Sequence, residues 1–213
     1  TELDMDVFET MKPFLLTDYG NASQPYSFSR TSRNALKKAR RSIADCINAE
    51  PEEIYFTSGG TESNNWAIKG YMESNNVCKL IITSEFEHHT ILNVCKHMES
   101  QGCSVVYLHP SKDGFITPEI LNSIISYNTQ MISIMMVNNE IGTIQPIKRL
   151  CETAHQYGGL FHTDAVQAVG HIDVDVKDLN IDMLSCSAHK FNGPKGIGFL
   201  YIKKGIKMFP YIE

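Results

Sequence analysis

Apolar positions along the chain fall into short blocks whose spacing alternates between helical and extended periods. Over residues 30–48, Leu36, Ala39, Ile43 and Ile47 recur at helical spacing and predict an amphipathic helix. Residues 54–57 read as a short strand and residues 61–75 as a second helix. Residues 79–83 (KLIIT) predict a strand, 89–100 a helix and 104–108 a strand, and Pro118 opens a helix over 118–126. Residues 131–137 (MISIMMV) are apolar almost throughout, as expected of a central strand buried on both faces. A helix over 146–157 is stopped by Gly158 and Gly159, and further strands are predicted at 160–163, 183–187 and 197–202.

This βαβα rhythm predicts an α/β fold, a mostly parallel sheet covered by helices. No internal repeat, linker or low-complexity segment interrupts it, so one domain is expected. The 213 residues are 42% hydrophobic and 20% charged, which fits a globular chain and not a disordered one. A net charge of −5 argues against nucleic acid or an anionic membrane as partner. No apolar run reaches the roughly 20 residues needed to span a bilayer. Residues 1–11 are acidic and lack the basic and apolar regions of a signal peptide. The six cysteines, Cys46, Cys78, Cys95, Cys103, Cys151 and Cys186, are scattered without a CxxC pair. That spacing disfavours a zinc ribbon or a disulfide framework and points to a reducing, cytoplasmic setting.

Ligands of open parallel sheets sit at the carboxyl ends of the strands, so the residues that follow each predicted strand carry the chemistry. Ser58-Gly59-Gly60-Thr61 precedes a helix and reads either as a phosphate cradle or as a plain turn with Thr61 as its cap. Glu87-His88-His89 offers one imidazole over the crevice, or only a surface pair. Asn138-Asn139-Glu140-Ile141-Gly142 is more polar than a turn requires. Asp164, with Gln167 beyond it, ends a buried strand and needs a cation or a capping role. Ser187-Ala188-His189-Lys190 brings an amine that is either nucleophilic in a dry crevice or a solvated charge. Pyridoxal phosphate needs an amine, an acid for its ring nitrogen, a phosphate cradle and a stacking ring, and each has a candidate here. Zinc bound by His88, His162, Asp164 or His189 would leave Lys190 and the glycine loop unexplained, and no HExxH spacing is present.

Five ordered runs, SGGTESNN from Ser58, EHH from Glu87, VNNEIG from Val137, HTDAVQ from His162 and SAHK from Ser187, resemble the cysteine desulfurases. These are class-V aminotransferase-like pyridoxal-phosphate enzymes of fold type I, and the VNNEIG run is most similar to the NifS/IscS branch. The resemblance covers residues 20–201 and implies a three-layer α/β/α large domain with a mostly parallel mixed sheet. It implies that Lys190 forms the imine with the cofactor and shuttles protons, and that Asp164 pairs with the pyridinium nitrogen. His88 would stack on the ring and move protons, Asn139 and Gln167 would bond the phenolic oxygen, and Gly60, Thr61, Ser187 and His189 would hold the phosphate. The implied reaction takes L-cysteine to L-alanine and an enzyme persulfide, which feeds iron–sulfur cluster assembly or tRNA thiolation through an acceptor protein. It also implies a homodimer that shares a phosphate ligand. None of the six cysteines matches the family's catalytic loop, and the small C-terminal domain is absent. The chain is therefore expected to be part of the large domain, inactive alone. Another class-V enzyme (an aminotransferase, a selenocysteine lyase or a kynureninase-like hydrolase) and a catalytically dead binding module are the alternatives.

Overall fold

The computed structural model describes residues 1–74 and 79–210. Five strands run parallel: β2 (Leu80–Ser84), β3 (Ser104–Leu108), β4 (Thr129–Ser133), β5 (Leu160–Asp164) and β6 (Met183–Ser187). β7 (Gly198–Ile202) is antiparallel to β6 on one side and to β1 (Ile54–Thr57) on the other, so β1 points the same way as the parallel set. The sheet order is β1-β7-β6-β5-β4-β2-β3.

Adjacent residues of a strand face opposite sides, and the core divides accordingly. Ile81, Met131, Leu160, Met183 and Leu200 enter one buried cluster, and Ile82, Ile132, Phe161, Leu184 and Tyr201 the other. The first cluster is closed by α3 (Gly60–Asn65), a π turn (Trp66–Gly70), α4 (Tyr71–Ser74) and α5 (His89–Ser100). The second is closed by the end of α2 (Arg30–Cys46), by α6 (Pro118–Asn122) and by α7 (Ile147–Gln156). The result is the mixed, mostly parallel α/β/α sandwich that the alternation and the resemblance imply.

Four details differ from expectation. The apolar run 131–137 is ladder only as far as Ser133, although Ile134 and Met136 still donate N–H bonds to His162 O (3.2 Å) and Asp164 O (2.9 Å). Its apolarity reports burial, which continues through Met136, not strand length. In α2, Leu36 is 47% exposed and Ala39 is exposed, because only the last turns, at Ala44 and Ile47, reach the sheet. The helix from Pro118 stops at Asn122, since the Ser126 N–H turns to Thr129 Oγ1 at 3.1 Å and a turn replaces the helix. An additional helix, α1 (Met5–Leu16), starts at Asp4, whose Oδ1 accepts the Asp6 N–H at 2.8 Å. The predicted end at Asn75, as well as Cys78, lies outside the described residues.

Candidate active site

The carboxyl ends of β1, β2, β4, β5 and β6 meet at a cleft of about 470 Å³. After β1 the chain turns at Gly59, with φ +148°, a conformation that favours glycine. Gly60 and Thr61 then open α3, so their amides have no intrahelical acceptor, and both residues line the cleft.

After β2, Glu87 is buried beneath the cleft floor. Its Oε1 accepts the Ser84 hydroxyl at 2.5 Å and the Met135 N–H at 2.9 Å, while Oε2 has no partner. Burial pushes its carboxyl up to about 8, so it is neutral through most of the physiological range. The next residue, His88, caps α5 and lines the cleft, whereas its neighbour His89 does not.

After β4, the Asn138 side chain builds the turn. Its Oδ1 accepts the Glu140 and Ile141 N–H groups at 2.9 and 3.0 Å, and its Nδ2 donates to Phe86 O at 3.0 Å. Asn139 is thereby left to reach the cleft. The two asparagines thus divide the work of turn and site.

Asp164 ends β5 and is 5% exposed. Burial raises its pKa, and the Asn64 and Val166 hydrogen bonds, with the His88 and Lys190 charges, work in the opposite direction. Gln167, one turn on, lines the same cleft. After β6, Ser187, His189 and Lys190 reach it on a short 3₁₀ turn, and the His171 ring N–H donates to the Lys190 carbonyl at 2.9 Å. Burial lowers the His189 pKa, and the charges of Lys190 and Lys195 lower it further.

The nine residues to which the resemblance assigns a cofactor role (Gly60, Thr61, His88, Asn139, Asp164, Gln167, Ser187, His189 and Lys190) therefore border one cleft, whereas Glu87, His89, Asn138 and His162 do not line it. Asn64, Thr90, Met135 and Lys195 border it too and were missed. Asn64 follows Gly60 by one helical turn, a spacing that places both on one face. The histidine at the centre of the sheet plays a different part. His162 is fully buried between Ser133 Oγ (2.8 Å) and Ser185 Oγ (2.9 Å), and burial lowers its pKa to about 3. It is a neutral core group, and among the described residues no cluster of three His, Cys, Asp or Glu could hold a metal. Cys46, Cys95, Cys151 and Cys186 are free, and none borders the cleft. Burial pushes the Cys95 thiol up to about 12 and raises those of Cys151 and Cys186. No helix among the described residues is long and apolar enough to cross a membrane. A second hollow of about 590 Å³, between α2 and residues 169–174, holds none of the motif residues.

The chain is 51% identical over its whole length to a cysteine desulfurase IscS of Methanosarcina thermophila, of which it covers 53%. It is also 51% identical to that of Dictyoglomus turgidum, covering 54%. The chain thus spans about half the length of the curated relatives it matches. A solved structure of SspA in complex with cysteine superposes on all of the chain with a TM-score of 0.97 at 43% identity, the chain covering 62% of it. The model of the family described as Aminotransferase class-V matches residues 1–210. With every described residue inside that match and the strand-end residues gathered at one cleft, the chain belongs to the class-V aminotransferase family.

Proposed function

We propose that this chain carries the cofactor-binding core of a pyridoxal-phosphate-dependent cysteine desulfurase. Its reaction takes sulfur from L-cysteine, leaves L-alanine and passes the sulfur on as a persulfide to an acceptor protein. The observation that carries the reading is the meeting of a buried carboxyl, an amine, an imidazole and a glycine-lined helix start in one cleft, from separate strand ends.

The residues fit the cofactor. Asp164 Oδ1 accepts the Val166 N–H at 3.0 Å and Oδ2 accepts Asn64 Nδ2 at 2.7 Å, so each oxygen keeps a lone pair for a protonated ring nitrogen. A cation placed there offsets the cost of burying the carboxylate. A Cβ on Gly60 would lie 2.7 Å from Val166 Cγ2 and would have to displace that side chain, so glycine leaves the backbone bare for a phosphate to approach. In this reading Gly60, Thr61, Ser187 and His189 hold the phosphate, and Asn139 and Gln167 bond the phenolic oxygen. His88 stacks on the ring, and Lys190 holds the cofactor covalently. Pyridoxal phosphate, when bound, supplies an electron sink for the substrate carbon. The Lys190 amine, on a turn fixed through its carbonyl by His171, gives and takes protons at the cleft. His88 is the second group lining the cleft that exchanges protons there.

The sulfur-accepting thiol lies outside the described residues, because no described cysteine borders the cleft. A homodimer, a cytoplasmic setting and supply of sulfur to iron–sulfur cluster assembly belong to the same proposal. Borohydride reduction of the intact protein after incubation with pyridoxal phosphate tests it. Peptide mapping is expected to find the adduct at Lys190 and to lose it in Lys190→Ala. Adducts at other lysines alone would overturn the assignment.

A further inference from the structure

A continuous line of side-chain hydrogen bonds joins the buried carboxyl of the cleft to its imidazole. Asn64, 1% exposed, donates from Nδ2 to Asp164 Oδ2 at 2.7 Å and to Thr90 Oγ1 at 2.9 Å. Thr90 Oγ1 lies 2.9 Å from His88 Nδ1, and the Thr90 backbone N–H donates to that same nitrogen at 3.2 Å. All four side chains border the cleft.

Donors and acceptors along this line close in one sense only. With Asp164 ionised, as it is when it faces a cation in the cleft, the amide of Asn64 cannot be turned round, since its oxygen would then stand 2.7 Å from a carboxylate oxygen. Its Oδ1 is buried without a partner, a cost the line of bonds offsets. Both amide hydrogens are committed, so Thr90 Oγ1 accepts from Asn64 and turns its own hydrogen toward His88. A backbone N–H cannot accept. Both groups of Thr90 therefore make Nδ1 an acceptor, and the neutral ring carries its proton on Nε2.

We propose that Asn64 and Thr90 are positioning residues that tie Asp164 to His88 and hold His88 in the Nε2–H tautomer, so that the imidazole presents a hydrogen-bond donor to the cleft. The inference rests on the proposed function for its meaning, because a donor there is aimed at an electron-rich oxygen or sulfur of a bound substrate. In that tautomer Nε2 donates and has no free lone pair, so His88 can take up a proton at that atom only after its ring proton has moved to Nδ1, against the Thr90 donors.

Histidine ¹⁵N NMR of the intact protein tests the geometry directly, the His88 signals being those missing from His88→Gln. The expected result is a pyrrole-type shift at Nε2 and a pyridine-type, hydrogen-bonded shift at Nδ1. A pyrrole-type Nδ1, or equal averaging of the two nitrogens, overturns the proposal. Thr90→Val is expected to move the Nδ1 shift, and Thr90→Ser to restore it. Asn64→Leu is expected to move it in the wild-type background but no further in Thr90→Val, because the influence of Asn64 passes through the hydroxyl. Additive shifts would show that no such line exists. Mapping of the Lys190 adduct on the same preparations reports on the cofactor site independently, so failure of one reading is not mistaken for failure of the other.

Discussion

Glu87 shows how much a single buried group decides at this site. Its carboxyl ties the end of β2, through Ser84, to the Met135 amide after β4, and so sets where His88 stands. Its pKa in the folded chain, about 8, lies above the ordinary 4.5 because burial penalises the charged form. Folding therefore favours the proton. The stability Glu87 contributes is complete below about pH 4.5 and is lost as the pH rises through about 8. Glu87→Gln keeps an oxygen for the Met135 and Ser84 donors but has no proton to lose. Urea unfolding at about pH 6 and about pH 8.5 is expected to show a smaller drop in stability for this variant than for the parent. Equal drops would mean that Glu87 is ionised in the fold. Sequence named Glu87 only as the neighbour of His88. What it could not supply was burial, which depends on the packing of β2 beside β4.

At the scale of elements, the cleft depends on how β7 is wedged between β1 and β6. Gly198 pairs with Thr57 on one side and Ser187 on the other, at the ends where the cofactor cradle begins. A Cβ at Gly198 would collide with Cys186 O and stand 2.7 Å from Gly59 Cα. Gly198→Ala is therefore expected to destabilise the fold by about 1–3 kcal/mol, as overpacking does. It should also weaken uptake of pyridoxal phosphate, because Gly59 has to move. Urea denaturation and the yield of Lys190 adduct measure the two effects. An unchanged adduct yield would show that the cradle tolerates the shift. Strand and helix positions were legible from periodicity at β1, β3, β6 and α5, where predicted and observed bounds coincide or differ at most by a residue. Bounds failed where side chains competed with backbone ladders, as at Ser126, or where apolarity outlasted pairing, as after Ser133.

For the molecule as a whole, the described cysteines stand apart from the cleft while the motif residues converge on it. Residues 1–213 by themselves are therefore expected to take up pyridoxal phosphate at Lys190 yet to produce no alanine from cysteine, as amino-acid analysis would show. Alanine and sulfide from this polypeptide would show that residues 1–213 already contain what the reaction needs. The alternation of short apolar strands with amphipathic helices, and the chemistry placed just after each strand, are properties of neighbouring residues. They determined the α/β class and named the strand ends at which the candidate residues stand. Distances between side chains on different elements are not local. Asn64 is 26 residues from Thr90 and 100 from Asp164, and no spacing rule links them. Packing of α3 against α5 and the end of β5 alone brings those groups within bonding reach, and it alone decides which nitrogen of His88 carries the proton.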